Sequence, residues 1–391
     1  MENEKIYNDR VKNFVDATSF KEPDKVPVGM EFLMWPFAYA GTTYKAVMDD
    51  PVLTAQTYTK FLDEVNLDFY WGGTISRPLK TNEILGCYDY ALAKDDTCIE
   101  HIQVNEEYMT ADEYEDLIKD PNTFRYETML KRHYTAFNLP KEQAYEKLKE
   151  AAIEYKKYQT ANRLITKNIH EDRKVLAITN SPLSFYSPFN VLFDILRGIT
   201  NSLTDLRRRP DTVRKACDVI WEQFLKDFKY KPEDFKDKPF PLGRTVYHSE
   251  CFLSPSLFDE LFFNKFREQF LPFMEVGVKF FLKGEGHFIN TLDRYRQLPN
   301  GAMVMMLDED DPFEVHKVIG DWATLATGIR ADLLQFGTKQ QCIDYVKKCF
   351  DTFAPGGGFV FMQNKPLLCA NDAKIENLIA VYEFANEYGK K

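Results

Sequence analysis

The sequence predicts an α/β chain folded as a (β/α)8 TIM barrel, a single domain over residues 1–391 with a helical insertion at about 75–172 between strands 2 and 3. Three observations predict it. Eight short apolar runs recur along the chain without the polar/apolar alternation of half-exposed strands, as expected of parallel strands buried on both faces. Helical patterns lie between them, the arithmetic of a barrel rather than of a sandwich. One interval alone, of roughly 100 residues, is too long for a plain loop.

The runs are Val26–Glu31, Leu67–Trp71, Val175–Asn180, Thr245–His248, Val278–Leu282, Ala302–Asp308, Ala323–Thr327 and Gly358–Gln363. Helices are expected over 51–65, 190–200, 210–228, 254–273, 292–298, 311–320, 338–353 and 373–388. Ser254-Pro255 and Asp311-Pro312 each set a capping side chain before a first-turn proline. The long interval contains Lys141–Asn168, rich in Glu and Lys, which reads as a helical lid or a partner surface. Lys229–Pro241 reads as a surface loop, and no solenoid-length repeat or Gly/Ser linker divides the chain.

Composition narrows the function classes. The chain is 44% hydrophobic and 28% charged, which excludes a disordered or collagen-like protein. A net charge of −10 argues against a nucleic-acid partner, which wants basic faces. No apolar run reaches the roughly 20 residues of a membrane helix, and the charged Met1–Arg10 lacks an apolar signal core, so a cytoplasmic protein is expected. The seven Cys show no CxxC pair or framework spacing, and reduced thiols are expected. With 32 Phe and 21 Tyr, the aromatic content suits either planar ligands or a Phe-rich core.

In a barrel the chemistry sits just beyond the strand ends, so polar residues there are the candidates. His248, one of six His, follows the fourth strand and can serve as metal ligand or general acid/base, with Glu250 and Cys251 directly after it. Lys283-Gly-Glu285-Gly-His287 ends the fifth strand, and the glycines flanking Glu285 leave its carboxylate reachable. Catalytic roles are therefore expected of His248, Glu285 and Lys283. Substrate contacts are expected from Trp35, Phe37, Trp71, Asn180, Phe185, Tyr186, Asp308 and Gln363. Asp308-Glu-Asp-Asp311 offers carboxylates for a cation or a proton, one of them read as a helix cap. Gly356–Gly358 precedes the eighth strand and, with no Lys-Ser/Thr after it, reads as a tight turn rather than a phosphate loop.

Several ordered segments resemble the uroporphyrinogen decarboxylase superfamily, and within it the corrinoid-linked methyltransferase branch. They are Asp9–Phe14, Pro23–Pro27, Ser181–Phe185, Leu196–Pro210, Leu253–Phe258, Gly337-Thr338, Ala354–Phe359 and Asn371–Leu378, spread over nearly the whole chain. The resemblance implies the barrel fold. It does not extend to porphyrinogen decarboxylation. Where decarboxylases carry arginines for porphyrin carboxylates, this chain reads Glu31-Phe-Leu-Met-Trp-Pro-Phe-Ala-Tyr39. The methyltransferase branch implies zinc held by a His-x-Cys or His-x-Glu-like pair and a later Cys. The aligned pair here is Lys283-Gly-Glu285, and the later position falls in Gly356–Gly358. His248 and Glu250 with Glu285 would then form a different set, Cys251 being the thiolate substitute. In the alternative, Lys283 neutralises Glu285 and no metal binds.

What the resemblance implies is a transferase moving a methyl group from a small methylated donor, such as an aryl methyl ether in O-demethylation, to the cobalt of a corrinoid. The chain has no Asp-x-His-x-x-Gly, so the corrinoid arrives on a separate corrinoid-binding protein. A Lewis acid or a donated proton would ease loss of the basic leaving group. The alternatives are transfer from a methylcorrinoid to an acceptor, a decarboxylase or lyase of a small acid, and a non-enzymatic barrel.

Overall fold

The computed structural model describes residues 2–71, 75, 77–101, 108–178, 182–227, 229–239 and 241–390. Its strands are β1 (Gly29–Met30), β2 (Phe69–Tyr70), β3 (Tyr90–Leu92), β4 (Ile99–His101), β5 (Leu176–Ala177), β6 (Leu183–Phe185), β7 (Leu242–Tyr247), β8 (Lys279–Gly284), β9 (Met303–Leu307), β10 (Thr324–Ile329) and β11 (Phe359–Gln363). All eight predicted runs overlap a strand; β7, β8 and β10 extend beyond theirs, and β1, β2 and β5 are shorter.

The chain is a mixed α/β fold with two parallel sheets. One has the order β1-β2-β5 and the other β11-β10-β9-β8-β7-β6. A parallel bridge between Val28 and Phe361 joins them at β1 and β11. The closed eight-stranded ring expected from the sequence is not shown: the strands stand in these two sheets, and the outer strand β6 of the larger is one the sequence reading omits. Residues 179–181, between β5 and β6, lie outside the described residues. The central strands β9, β10 and β11 are buried at every position, which is why their sequences never alternate.

One apolar cluster draws on both sheets: Phe69, Trp71 and Leu176 from the smaller, Leu242, Phe281, Val304, Met306, Ala326, Val360 and Met362 from the larger. Val11, Phe14 and Ala17 of the N-terminal helix Glu2–Ala17 complete it. The opposite faces of the same strands, through Phe280, Leu282, Met303 and Met305, pack on the surrounding helices. The predicted caps form: Ser254 accepts from the Leu257 amide, and Asp311 from the Phe313 and Glu314 amides.

The insertion contains the expected long helix, Lys141–Thr166, but also an antiparallel hairpin, β3–β4, which the sequence reading omits. A further correction concerns the thiols. Cys98, in the hairpin turn, is disulfide-bonded to Cys369 after β11, 271 residues away. Linear spacing carries no trace of that proximity, so the expectation of seven reduced cysteines fails for this pair. Cys87, Cys217, Cys251, Cys342 and Cys349 are free.

Asp68, just before β2, ties the first strand to the N-terminal helix. Its carboxylate pairs with Arg10 at 3.3 Å and Lys25 at 2.7 Å, and accepts from the Val28 amide at 3.0 Å. Removing one member of a buried charge cluster leaves the others uncompensated, at a cost of about 3–5 kcal/mol. Asp68→Ala is expected to lower the unfolding free energy by that amount at unchanged denaturant slope, with Asp68→Asn milder; a loss below about 0.5 kcal/mol would refute the assignment.

Candidate functional site

The C-terminal ends of β7 and β8 place four charged groups in a line. Lys283 is the fifth residue of β8 and its side chain is only 10% exposed. Its Nζ lies 3.1 Å from Glu31 Oε1, from the turn after β1, and 3.2 Å from Glu285 Oε1. The other oxygen of Glu285, Oε2, is 3.1 Å from His248 Nδ1, the residue that follows β7. His248 and Glu285 are about a third exposed, so the line runs from the interior to an accessible end.

The turn that presents Glu285 is built from its neighbours. Gly284 has no room for a Cβ, which would meet Leu307 and Phe288 at 2.8 Å. Gly286 has φ +119°, and a Cβ there would meet Cys251 Sγ at 2.7 Å. Asp308, after β9, accepts from the Gly286 amide at 2.7 Å and fixes the turn from the next strand.

His248 and Glu285 open onto a cavity of ≈ 330 Å³ whose other walls include His101, Phe193, Asp194, Cys251 and Phe252. His101 comes from β4, so the hairpin contributes directly to the cavity. Asp194 follows β6 in a wide helical turn, Val191–Leu196, and accepts from the Tyr186 hydroxyl.

Charge states follow from these contacts. Burial works against the His248 imidazolium, yet the hydrogen bond and charge of Glu285, with Asp194 and Glu250 beyond it, raise its pKa above the usual 6.5. Burial would raise the Glu285 carboxyl too, but His248 and Lys283 overrule it and hold it down at about 2. Burial opposes the Lys283 ammonium and is outweighed by Glu31 and Glu285, so its pKa is raised. Glu250 differs: it is 1% exposed, and burial pushes its carboxyl up to about 7 against the hydrogen bonds and the His248 charge that favour its anion. Its Oε2 accepts from the His248 backbone N–H at 2.9 Å and its Oε1 from Asn190 Nδ2 at 3.0 Å.

The structure therefore brings His248, Glu285 and Lys283 together. It does not gather His248, Glu250 and Glu285 as a metal set. Both Glu285 oxygens face cationic partners, and both Glu250 oxygens receive N–H donors. Among the described residues, the group whose ligand atoms converge within 4.8 Å lies elsewhere, at Cys87, Asp89 and His133.

The expected substrate contacts divide. Tyr186 and Asp308 support cavity residues through Asp194 and Gly286. Trp71 packs on Phe281 at 4.5 Å between ring centroids, behind the charged line. Gln363 is buried, donating to the Glu31 carbonyl and accepting from Tyr382 at 2.9 Å. Trp35, Phe37 and Phe185 lie in packed core instead of on the cavity wall: Trp35 donates to the Ala373 carbonyl, Phe37 packs on Tyr44 and Tyr58, and Phe185 on Phe262 and Phe266. Asn180 falls outside the described residues. The sequence reading overlooked Asp194 and His101. A lone carboxylate in the apolar run Val191-Leu-Phe-Asp-Ile-Leu196 was the available signal for the first; the hairpin that delivers the second had none.

No protein-family model matches the sequence, and no curated protein matches it. Among solved structures the chain is similar to a methyltransferase from Methanosarcina mazei, with a TM-score of 0.54 and 14% identity over 97% of this chain and 98% of that one. At that identity the likeness is one of fold. No helix among the described residues is long and apolar enough to cross a membrane.

Two titrations test this electrostatic picture. NMR pH titration is expected to find the His248 ring above 6.5 in the wild type and lower in Glu285→Gln; an unchanged ring pKa in the variant would break the pairing. Glu250, with a folded pKa of about 7 against 4.5 unfolded, contributes stability that is complete below pH 4.5 and lost as pH rises to 7, worth about 3 kcal/mol at roughly 1.4 kcal/mol per unit. Glu250→Gln should flatten the fall in denaturation free energy between pH 4.5 and 7; a variant that keeps the full wild-type slope would exclude a buried neutral carboxyl.

Proposed function

We propose that this chain is a methyltransferase of the uroporphyrinogen decarboxylase-like, corrinoid-linked kind, its two parallel sheets forming one barrel. In this reading it accepts a small methylated donor in the cavity and delivers the methyl group to a corrinoid carried by a separate protein. The observation that carries the reading is the His248–Glu285–Lys283 line ending at the cavity, which keeps an imidazolium poised beside a bound substrate. The fold likeness to a methyltransferase agrees with it.

Methyl ethers are poor methyl donors because the departing oxygen is a strong base. His248 answers that difficulty as a general acid. With Nδ1 engaged by Glu285, Nε2 is the nitrogen left to give a proton. The methyl carbon–oxygen bond breaks, the oxygen keeps the bonding pair and takes the His248 proton, and the carbon is captured by the electron pair of the corrinoid cobalt, which is what the partner supplies. Glu285 holds the ring in position, and Lys283 keeps Glu285 ionised. Phe193 and Phe252 offer the apolar walls that the expected rim of Trp35, Phe37 and Phe185 does not.

Zinc at His248, Glu250 and Glu285 does not fit this side-chain arrangement, because the ligand atoms of the three do not all come within 4.8 Å of one another. The charge pattern also disfavours a decarboxylase of a small acid. Asp194 and Glu285 face the cavity, and both cations beside them are engaged by carboxylates, His248 by Glu285 and Lys283 by Glu31 and Glu285.

The test is cobalt-state spectroscopy of a reduced corrinoid protein mixed with the purified chain and a panel of methyl ethers and amines. Methylation of cobalt is expected with the wild type and about a hundredfold slower or worse with His248→Ala, the usual loss for a general acid. Undiminished transfer by His248→Ala would remove the mechanism, and absence of transfer with every donor would remove the activity.

A further inference from the structure

Outside the cavity, the insertion assembles three side chains of metal-ligating type. Cys87 follows Gly86, whose left-handed conformation (φ +71°) ends the helix Leu79–Leu85. Asp89 opens the hairpin two residues later. His133 is the last residue of the helix Leu130–His133. The segments are pressed together: a Cβ on Gly86 would lie 2.0 Å from Thr135 Oγ1, and the Thr135 hydroxyl donates to the Gly86 carbonyl at 3.3 Å. One ligand atom from each of Cys87, Asp89 and His133 falls within 4.8 Å of the others.

We propose that Cys87, Asp89 and His133 form a site for a divalent transition metal of the zinc class. The donor set of sulfur, nitrogen and oxygen is one that zinc or cobalt(II) accepts and that magnesium or calcium, which want oxygens, does not. Three protein ligands leave a fourth position for water. The outer contacts have the form such sites use. The Tyr108 hydroxyl donates to Asp89 Oδ1, leaving Oδ2 near the cluster, 3.2 Å from His133 Nδ1, and the Tyr108 ring lies over His133 at 3.8 Å. His133 Nε2 is buried with no hydrogen-bond partner among the described residues, a deficit that an ion or a water at that nitrogen would remedy. Cys87 is 4% exposed, too enclosed for a nucleophile that must meet a substrate. Binding exchanges the thiol proton, released to solvent, for a sulfur–metal bond.

The site has a place in the architecture. From Asp89 the chain runs directly into β3, where Tyr90 stacks on His101 of β4 at 4.5 Å, and His101 lines the cavity. A metal there anchors the root of the hairpin, as the Cys98–Cys369 bond anchors its tip.

Chelator-treated protein titrated with cobalt(II) is expected to bind one equivalent with a thiolate-to-cobalt charge-transfer band. The band should vanish in Cys87→Ser, weaken at least tenfold in affinity in His133→Ala, and persist in Cys251→Ser and His248→Ala. No band, a band that survives Cys87→Ser, or one lost with Cys251→Ser overturns the proposal. Because Cys87→Ser could unfold a buried position, the wild type is also melted with and without zinc. A rise of several degrees supports the site, provided that it is absent from a His133→Ala protein with unchanged circular dichroism, whereas an unmoved midpoint at saturating zinc refutes it.

Discussion

The contact on which the site rests is the buried pairing of Lys283 with Glu31 and Glu285. An ammonium group in an apolar interior is tolerated only with its charge matched and its donors used. Here the matching carboxylates come from opposite directions in the fold. Glu31 follows β1 in the smaller sheet, 252 residues away in sequence, while Glu285 leaves the tip of β8 in the larger. The pairing therefore fixes how the end of β1 sits against the end of β8. The two sheets share an apolar interior, which brings them together without specifying their relative register. A charged group with two partners at 3.1 and 3.2 Å is far less permissive than that interior. Its consequence for chemistry is that Glu285 stays anionic and favours the cationic form of His248 at the place where the line reaches a cavity.

Much of the scaffold was legible because parallel, doubly buried strands leave a plain mark. Met303-Val-Met-Met-Leu307 has nothing polar to hide, and every residue of it is buried. The short strands around residues 29, 69 and 176 were also found, although their pairing extends over only two residues each. What escaped was local structure with no such mark. The hairpin of β3 and β4 is half-exposed, short, and sits within a segment dominated by a long charged helix. The N-terminal helix was not among the predicted ones, yet Val11, Phe14 and Ala17 close the inner cluster. The Cys98–Cys369 bond depends on a proximity that only the completed fold creates.

The site was legible in part for a related reason. Position after a strand is a strong guide to location, and it led to His248, Lys283 and Glu285. Side-chain direction is not readable in the same way. Trp35, Phe37 and Phe185 occupy positions as promising as Trp71 or Tyr186, but an aromatic ring gains more from packing than from exposure unless something polar holds it at the rim. Tyr186 has that hold in Asp194. Phe185 has none, and it turns into a cluster with Phe262, Phe266 and Phe270.

Two glutamates near one histidine show how the surroundings divide labour between identical side chains. Glu250 and Glu285 both contact His248, the first at its backbone N–H and the second at its ring. Glu285 also has Lys283, so its carboxyl falls to about 2; Glu250 has amide and hydroxyl donors but no bonded cation, and burial carries it to about 7. Near neutrality one is a fixed anion and the other is close to half-protonated, a separation that commonly marks acid–base function. The fixed anion cannot supply a proton, so its part is to orient and charge the imidazole. Glu250 lies on the far side of the same residue, off the cavity wall, and its charge changes over the interval in which His248 must hold or release a proton. Each ionisation makes the other group's charged form easier to keep, since the two have opposite sign. Loss of a proton from Glu250 therefore helps His248 remain an acid as pH rises, which extends toward neutrality the range over which a leaving oxygen in the cavity would find a donor.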